Sequence, residues 1–324
     1  RDSAIVLANL HKANILLGSA TPSLESYYNA SINKYHLIPL EQRFGGAQLP
    51  EILSADLAKE RRQKSMQTHF SSLLVDHMRE VLNAKEQIIL FQNRRGYTPF
   101  WMCEICNWTP NCVNCDVSLT YHKHSNNLKC HYCSYSIPPV GSCSACGSNR
   151  LKMIGFGTEK IEDDLGLLFP DINIQRLDLD TTRNKNSYSR ILNDFDAGNI
   201  DVLIGTQMVS KGLDFDNVSL VGILDADMLL NRPDFRAFER SFQLMTQVAG
   251  RAGRRKKRGK VILQTGDPDH WVIGKVHGHD YVGFYDNEII ERKNYFYPPF
   301  FKIISITLKH KNEPQLSAAA ISLA

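Results

Sequence analysis

Leu220-Val221-Gly222-Ile223-Leu224 is a short, unbroken apolar run, and Val202-Leu203-Ile204 and Val261-Ile262-Leu263 repeat the pattern on either side of it. Apolar runs of this length are typical of buried strands. A helix is predicted over 187–197, with Gly198 as its stop signal. Strands that alternate with helices predict a parallel sheet with helices on both of its faces. The sequence therefore predicts an α/β fold.

The alternation of strands and helices continues across most of the chain. Further strands are predicted at 13–17, 87–91 and 153–156, from Ile172 onward, and at 303–308. Further helices are predicted from Leu24 with Ser23 as the N-cap, through Leu73, Leu74, Met78, Val81 and Leu82, and from Thr158 to Phe169. Residues 41–65 are polar and are predicted to form a connector that leads into the second of these helices.

Composition restricts the function classes before any motif is considered. The 324 residues are 43% hydrophobic and 22% charged, as in an ordinary soluble globular protein. These values exclude a disordered tail, a collagen and a disulfide mini-protein, and no run approaches the roughly 18 apolar residues of a membrane helix. Arg1-Asp2-Ser3 contains no initiator Met and does not resemble a signal peptide, so we expect the chain to be a piece of a longer protein.

A block of eight cysteines, arranged as four Cys-x-x-Cys pairs, interrupts the α/β pattern. Each pair places two thiolates on one side of a metal ion, and two pairs complete a tetrahedral site of four thiolates. The block therefore predicts two closed, structural zinc sites with no position open for catalysis. The predicted ligands are Cys103, Cys106, Cys112, Cys115, Cys130, Cys133, Cys143 and Cys146.

Disulfides and iron–sulfur clusters are the alternatives to zinc at these cysteines. Disulfides lack the support of a secretion signal. Spacing alone leaves the pairing open, because the four pairs can combine in sequence, nested or interleaved. Eight thiolates and two Zn²⁺ would lower the formal net charge from +4 to zero. Attraction for nucleic acid then has to come from where the charges lie on the surface.

Five aromatic side chains lie between the predicted zinc ligands or just before the first of them: Trp101, Trp108, Tyr121, Tyr132 and Tyr135. Aromatic rings can stack on nucleic-acid bases. A small zinc ribbon has little core, however, and aromatic side chains are its usual filling. We expect these five to have that structural role.

Gln247-Val248-Ala249-Gly250-Arg251-Ala252-Gly253-Arg254 carries the strongest functional signal. Arg251 and Arg254 are three residues apart, so on a helix they project from one face and can reach a common phosphate. The glycines allow the backbone to pack closely. Arginines presented across a cleft neutralise charge that develops on a transferred phosphoryl group. The alternative is a solvated basic helix on the surface.

This stretch resembles motif VI of superfamily 2 helicases, and other stretches resemble further motifs in the order that family uses. Gly18-Ser19-Ala20-Thr21 is similar to motif III, and residues 206–215 are similar to motif V. A more specific resemblance is to the primosomal protein N′ (PriA) family of replication-restart helicases, and it extends to about Phe301. It is carried by Asn93-Arg94-Arg95-Gly96-Tyr97 before the cysteines, Gly157-Thr158-Glu159-Lys160, Asp234-Phe235-Arg236-Ala237 and Glu239-Arg240.

The resemblance implies a role for each motif residue in phosphate and DNA contacts. Arg251 and Arg254 are implied to be arginine fingers, and Gln247 is implied to sense the nucleotide. Thr206 follows a predicted strand at the carboxyl edge of the sheet, where α/β folds place their ligands. Together with Lys211, Thr206 is the predicted contact to DNA.

The resemblance also implies which residues couple nucleotide to movement and which cysteines share a zinc ion. Gly212 and Asp214 are implied to couple the nucleotide to the DNA track, and Ser19 and Thr21 to link hydrolysis to movement of two RecA-like lobes. The zinc pairing implied by the family is nested. One ion would be held by Cys103, Cys106, Cys143 and Cys146, and the other by Cys112, Cys115, Cys130 and Cys133.

Two features depart from the family pattern. Leu213 occupies a position in motif V where the family commonly has His, so a hydrogen bond from that side chain is lost. The chain also holds no Gly-x-x-x-x-Gly-Lys-[Ser/Thr] and no Walker B carboxylate pair. We expect both to lie upstream of Arg1, together with N-terminal DNA-binding domains.

The motifs divide the chain into five predicted segments. Residues 1–45 are predicted to end helicase lobe 1 and to carry motif III. A connector and the start of lobe 2 are predicted over 46–98, and the zinc-binding insertion over 99–150. Lobe 2, with motifs V and VI, is predicted over 151–275, and a C-terminal α+β domain is predicted to start over 276–324.

The resemblance implies part of an ATP-dependent 3′-to-5′ DNA helicase that recognises stalled or collapsed replication forks and initiates primosome assembly. It implies two Zn²⁺ per chain, with ATP and Mg²⁺ in the full-length protein, and no membrane partner. The implied partners are forked and single-stranded DNA, primosome proteins and single-stranded DNA-binding protein, in the bacterial cytoplasm at the nucleoid. The alternatives are an ATP-independent zinc-ribbon module that binds DNA or protein and a related translocase with another substrate. We expect this chain alone to be inactive because it holds no P-loop.

Overall fold

A six-stranded sheet forms the centre of the computed structural model. The structure describes residues 1–40, 48–92, 100–115, 117–122, 127–130, 133–154, 158–178, 181–182, 186–210, 215–253, 258–304, 306, 308, 310 and 312–323. Across the sheet the strands are β1 (Glu51–Asp56), β11 (Lys260–Thr265), β10 (Val218–Ile223), β2 (Gln87–Phe91), β9 (Val202–Gly205) and β8 (Ile174–Leu177). Every neighbouring pair is parallel, which confirms the predicted sheet type.

Helices connect these strands and cover the sheet. They are α1 (Asp2–Leu10), α2 (Leu24–Ser31), α3 (Leu57–Gln63), α4 (Ser72–Asn83), α5 (Thr158–Leu168), α6 (Ser187–Asp196), α7 (Ala226–Leu230), α8 (Ala237–Ala249), α9 (Trp271–His277), α10 (Tyr281–Asn294) and α11 (Glu313–Leu323). A short 3-10 helix, Gln207–Ser210, follows β9. The predicted cap of α2 is confirmed, because the Ser26 amide donates to Ser23 Oγ over 3.3 Å.

The core lies on both faces of the sheet. All five residues of β2 are buried, and they alternate between the two faces. Ile89 and Phe91 pack with α2, α6, α8, α9 and α10 in one cluster. Ile88 and Leu90 pack with α4 and α5 in the other. This two-sided burial explains why the strands read as continuous apolar runs, and it confirms the prediction of helices on both faces.

The chain enters and leaves the cysteine-rich insertion through an antiparallel pair of strands. Strand β3 (Phe100–Cys103) pairs with β7 (Leu151–Ile154), and a separate small sheet contains β4 (Thr120–His122), β5 (Asn127–Lys129) and β6 (Ser136–Ile137). Of the strand predicted at 153–156, residues 153 and 154 belong to β7 and therefore to the insertion, and residues 155 and 156 lie outside the described residues. The prediction that this strand belongs to the main sheet is wrong, because β7 pairs with β3.

Two predicted strands, at 13–17 and at 303–308, are wrong for the residues that the structure describes. The first forms no ladder, and its apolar side chains are exposed, Leu16 by 85%. In the second, Ile304 is 82% exposed and the described backbone is irregular. An apolar run becomes a strand only when a neighbouring strand satisfies its backbone groups, and the described residues of these two runs meet no such strand.

The predicted connector at 41–65 contains regular structure that the sequence analysis missed. Strand β1 lies at the edge of the sheet, where Ile52 and Ala55 are buried. Asp56 ends the strand and caps α3, because its carboxylate accepts the Lys59 amide over 2.8 Å. The prediction failed because an edge strand needs few apolar residues, and polar residues therefore obscured the signal.

The region after residue 270 packs against the same core as the sheet. Phe284 and Tyr285 of α10 are buried in the cluster that also contains α8. Phe242 of α8 stacks on Phe284 with ring centroids 4.5 Å apart. Within the described residues, no helix combines the length and the apolar character needed to cross a bilayer.

Candidate functional site

The four Cys-x-x-Cys pairs share one backbone hydrogen bond. The amide of the first cysteine in each pair donates to a carbonyl five residues later, over 2.8 or 2.9 Å, at Trp108, Val117, Tyr135 and Ser148. In three pairs the residue after the second cysteine has a positive φ: Asn107 (58°), Ser134 (61°) and Gly147 (72°). Turns of this kind place both sulfur atoms of a pair on one side, as a metal ion requires.

The structure brings the eight sulfur atoms into two groups of four. One group contains Cys103, Cys106, Cys143 and Cys146, and the other contains Cys112, Cys115, Cys130 and Cys133. Within each group all four sulfur atoms lie within 4.8 Å of one another. Of the pairings that spacing left open, this is the nested one.

The sulfur geometry fits zinc. Four sulfurs at a Zn–S distance of about 2.3 Å form a tetrahedron with edges of about 3.8 Å. The observed separations are 3.6 Å for Cys103–Cys146, 3.5 Å for Cys106–Cys143 and 3.5 Å for Cys112–Cys133. Backbone amides also donate to Cys103, Cys112 and Cys143 Sγ over 3.4 Å, which stabilises thiolates. Each group supplies four thiols and leaves no coordination position for catalysis.

Aromatic side chains fill the small core of the insertion. Trp101 and Tyr121 meet edge to face with ring centroids 5.7 Å apart. Both pack with Tyr135 against Leu119 and Leu128, which are fully buried. This is the structural role that we expected for them. Trp108 instead lines a cavity of about 620 Å³ between the insertion and the α/β lobe, and Tyr132 lies outside the described residues.

Asn107, next to the first cysteine pair, holds the insertion against the α/β lobe. Its Oδ1 accepts from the Arg61 guanidinium of α3 over 2.9 Å. A Cβ on Gly266 would lie 1.0 Å from Asn107 Nδ2, so only glycine allows this approach. Thr109 adds a hydrogen bond to Asn231 over 3.0 Å. The first metal group is therefore fixed directly to the lobe.

Helix α8 brings three of the sequence motifs together. Gln243 Nε2 donates to the Thr21 and Pro22 carbonyls over 3.3 and 3.2 Å, which joins the Ser19–Thr21 segment to α8. Val209, in the 3-10 helix after β9, is buried in the core cluster that includes Met245 and Val248 of α8. Gln247 lies one turn beyond Gln243 and is exposed. Motifs III, V and VI thus converge on one helix.

The helical geometry predicted for the two arginines is corrected at Arg251. Helix α8 ends at Ala249, and Arg251 lies in the following turn, half-buried. Gly253 has a φ of 68°, and its amide donates to the Val218 carbonyl over 2.9 Å. The glycines end the helix because they return the chain to the sheet. Arg251 is therefore presented by a turn.

The motif V residues begin where β9 ends. Thr206 is buried, and its carbonyl accepts the Val209 amide over 3.1 Å. The turn is tight, since a Cβ on Gly205 would lie 2.0 Å from Val209 Cγ1. Thr206 lies at the carboxyl edge of the sheet, as expected. Lys211, Gly212, Asp214 and Arg254 lie outside the described residues, so their roles stay predictions.

A buried charged cluster, which was not predicted from the sequence, lies beside α8. It contains three carboxylates and two guanidinium groups: Glu25, Glu239, Glu288, Arg236 and Arg292. Burial opposes ionisation of Glu25, but Arg236 outweighs it and holds the pKa of Glu25 below its ordinary value. Burial raises the pKa of Glu288 to about 7. The available signal was the three-residue spacing of Arg236 and Glu239 and the four-residue spacing of Glu288 and Arg292.

Two family models match the chain. The helicase conserved C-terminal domain matches residues 148–256, which include α8 and the motif V and VI stretches. The PriA DNA helicase Cys-rich region domain matches residues 112–138, which include the second sulfur group.

Relatives match almost the whole of this chain, but the chain spans less than half of each relative's length. The replication restart protein PriA of Bacillus subtilis is 41% identical over 324 residues, covering 100% of this chain and 40% of the relative. The PriA protein of Chlamydia pneumoniae is 44% identical over 306 residues, covering 94% and 41%. That of Rickettsia felis is 39% identical over 317 residues, covering 98% and 49%.

Solved helicase structures also align with the chain. Dbp5 of S. cerevisiae bound to RNA and ADP BeF3 has a TM-score of 0.44 at 14% identity, covering 91% of this chain and 58% of that one. RecG bound to a three-way DNA junction has a TM-score of 0.43 at 12% identity, covering 96% and 30%. By its sequence relatives and its matched domains, the chain belongs to the family of the replication restart protein PriA.

Proposed function

We propose that this chain is the second motor lobe, with its zinc insertion, of an ATP-dependent helicase that unwinds DNA in the 3′-to-5′ direction. In the full-length protein it would act at stalled or collapsed replication forks and initiate primosome assembly. ATP and Mg²⁺ would bind between this lobe and another that carries the P-loop. The chain alone would hydrolyse ATP only at a background rate, because its 324 residues include no P-loop.

The convergence of three motifs on α8 carries this proposal. A pure binding module has no need to connect the Ser19–Thr21 segment, the turn after β9 and the Gln247–Arg254 stretch through one helix. A motor does, because phosphate contacts at one end of the helix have to change DNA contacts elsewhere. Arg251 and Arg254 are proposed to neutralise charge on the transferred phosphoryl group, with Gln247 beside them.

The remaining motif residues are proposed to act along the same path. Gly212 and Asp214 would couple nucleotide to DNA, and Ser19 and Thr21 would link hydrolysis to lobe movement. Thr206 and Lys211 would contact DNA phosphates, which gives sequence-independent, salt-sensitive binding.

Each sulfur group is proposed to hold one structural Zn²⁺. The insertion that they stabilise would then contact DNA or partner proteins. Those partners are proposed to be primosome proteins and single-stranded DNA-binding protein, and the setting is proposed to be the bacterial cytoplasm at the nucleoid. The segment boundaries from the sequence analysis are proposed as the domain plan, except that β7 extends the insertion from 99–150 to Ile154.

Arg254→Ala in the full-length protein tests the motor function. We expect kcat for DNA-stimulated ATP hydrolysis to fall by about 10³-fold, as for other arginine fingers, with little change in DNA affinity. Arg258→Ala is the matched control, because Arg258 is an exposed arginine nearby that donates to the Leu49 carbonyl over 2.9 Å. Equal, small effects of the two changes would favour an ATP-independent zinc-ribbon binding module.

A further inference from the structure

Tyr297, just after α10, joins the zinc insertion to the lobe at the second sulfur group. Its hydroxyl donates to the carbonyl of Cys115, one of the four cysteines of that group, over 3.0 Å. Its own amide donates to the Arg292 carbonyl of α10 over 2.7 Å, which fixes the backbone that carries the ring. The Cys115 carbonyl belongs to a metal ligand, so its position depends on the ion that the four sulfurs hold.

The ring of Tyr297 continues this contact to the start of α8. It stacks on Phe235, with ring centroids 4.7 Å apart and an angle of 22° between the ring planes. Phe235 lies two residues before Ala237, the first residue of α8. The guanidinium groups of Arg236 and Arg292 each lie 4.9 Å from the centroid of the Phe235 ring, within the range of cation–π contacts. Phe235 therefore contacts an aromatic ring and two guanidinium groups at once.

The two guanidinium groups connect Phe235 to α8 itself. Both donate to Glu239 Oε2 over 3.0 Å, and Glu239 and Arg292 are 3% and 1% exposed. Charges are tolerated at such a depth only when they are paired and hydrogen-bonded, so these side chains hold one another in place. Glu239 Oε1 also accepts the Leu24 amide over 3.0 Å. The position of Phe235 is thus coupled to that of the first turn of α8.

The first sulfur group contacts a different part of the lobe. Asn107 follows Cys106 directly, accepts from the Arg61 guanidinium of α3 over 2.9 Å and lies against Gly266 at the end of β11. Asp227 of α7 accepts the Gly266 amide over 2.8 Å. These contacts of the two sulfur groups therefore lead to different elements. The first group leads to α3, β11 and α7, and the second leads to α10 and α8.

We propose that Tyr297 and Phe235 are positioning residues that couple the second sulfur group to α8, the helix that leads into the Gln247–Arg254 stretch. The metal ion sets the position of the Cys115 carbonyl, the carbonyl orients Tyr297, and the stacked ring of Phe235 sets the start of α8. A contact of DNA or a partner protein with the insertion then changes the geometry at the other end of α8. The inference rests on the proposed motor function, and it gives the second zinc ion a role that the first does not share.

Tyr297→Phe in the full-length protein is the decisive variant. It deletes the hydroxyl that donates to Cys115 and keeps the ring that stacks on Phe235, so only the connection to the metal group is lost. Tyr285→Phe is the matched control, because it deletes a tyrosine hydroxyl of α10 that contacts α2 instead. Hydrogen exchange of the amides of residues 240–243, near the start of α8, measures the coupling in the absence of DNA and nucleotide.

We expect exchange at residues 240–243 to accelerate about threefold to tenfold in Tyr297→Phe, as the loss of one hydrogen bond allows, and to change less than about twofold in Tyr285→Phe. Metal analysis should still give two Zn²⁺ per chain in both variants. In Tyr297→Phe alone, kcat for DNA-stimulated ATP hydrolysis should fall about threefold with KM for ATP unchanged, because the groups that shift are proposed to act on the transferred phosphoryl group. The inference is overturned when exchange in the two variants agrees, or when kcat of Tyr297→Phe matches that of the wild type.

Two cysteine variants test the difference between the sulfur groups. Cys112→Ser removes a ligand of the second group, and Cys146→Ser removes a ligand of the first. We expect Cys112→Ser to accelerate exchange at residues 240–243. Cys146→Ser should accelerate exchange in α3 and leave residues 240–243 near the wild-type rate. Equal exchange at residues 240–243 in the two variants would contradict the separate role of the second group.

A double variant distinguishes this path from a general loosening of the insertion. When Cys112→Ser and Tyr297→Phe are combined, exchange at residues 240–243 should match that of Cys112→Ser alone, because the tyrosine hydroxyl has already lost its fixed partner. Accelerations that multiply would show that the two changes act independently and would overturn the inference. A wild type without DNA-stimulated ATP hydrolysis contradicts the proposed function but leaves the exchange results standing.

Discussion

Gly205→Ala is expected to destabilise the turn between β9 and the 3-10 helix. The added Cβ would lie 2.0 Å from Val209 Cγ1 and 3.1 Å from both Cβ and Cγ2 of the same residue. Carbon atoms pack at about 3.5–4.0 Å, so the turn has to open by roughly 1.5 Å or more. Val209 is fully buried and β-branched, so it cannot rotate away. Overpacking of this kind lowers the free energy of unfolding by about 1–3 kcal/mol, and the severe overlap places this site at about 2–3 kcal/mol.

A double-mutant cycle with Val209→Ala tests the steric cause. Val209→Ala alone removes two buried methyl groups and is expected to lower the free energy of unfolding by about 2 kcal/mol. In the double variant the added methyl enters the space that valine leaves, so the total loss should stay near that of Val209→Ala. Urea unfolding followed by circular dichroism measures all three variants. If the loss of unfolding free energy in the double variant equals the sum of the two single losses to within about 0.5 kcal/mol, the steric explanation is refuted.

Three further outcomes are expected. Gly166→Ala should raise the free energy of unfolding by about 0.5–1 kcal/mol in urea unfolding, because Gly166 is exposed within α5 and its Cβ would meet nothing within 4 Å. Burial raises the pKa of Asp225 to about 7, so the folded wild type binds a proton that it has to release as pH rises from about 4 to about 7. Over this range the free energy of unfolding of Asp225→Asn should rise by about 2–4 kcal/mol relative to that of the wild type. A difference that does not depend on pH would contradict this. Metal analysis of reduced protein should give two Zn²⁺ per chain and one in Cys112→Ser, because the two sulfur groups are separate.

The central sheet could be predicted because its strands are buried on both faces. The runs at 87–91, 202–204 and 220–224 contain almost only apolar residues, and such runs have few other uses in a chain of this composition. The cap at Ser23 and the stop at Gly198 are local signals that act through the neighbouring backbone. Strands that are buried on both faces, and helix ends that depend on neighbouring residues, can therefore be predicted from the sequence.

The errors concern features that depend on a distant partner. The run at 13–17 has the composition of a strand but meets no neighbouring strand in the part of the chain that the structure describes. Strand β1 pairs with β11, whose residues follow more than 200 positions later, and its edge location removes the need for an apolar pattern. The contact between Glu239 and Leu24 spans 215 positions.

The candidate site divides in the same way. The identities of the eight cysteines follow from their spacing, whereas their division into two groups depends on how β3 returns to β7. The attachment of Asn107 to Arg61 and Gly266 depends on the folded lobe, and no local pattern indicates it. The turn that presents Arg251 was missed because a helix end depends on glycine conformation as well as on composition.

The antiparallel pair β3–β7 gives the insertion a narrow base. Phe100 lies directly opposite Ile154, and Cys103 lies opposite Leu151. Partners across an antiparallel ladder have Cα atoms about 5 Å apart, a gap that a two-residue hairpin turn closes. We therefore expect that a short Asn-Gly turn can replace the module between these strands without breaking a strand of the main sheet, although the contacts of Asn107 and Thr109 with the lobe would be lost.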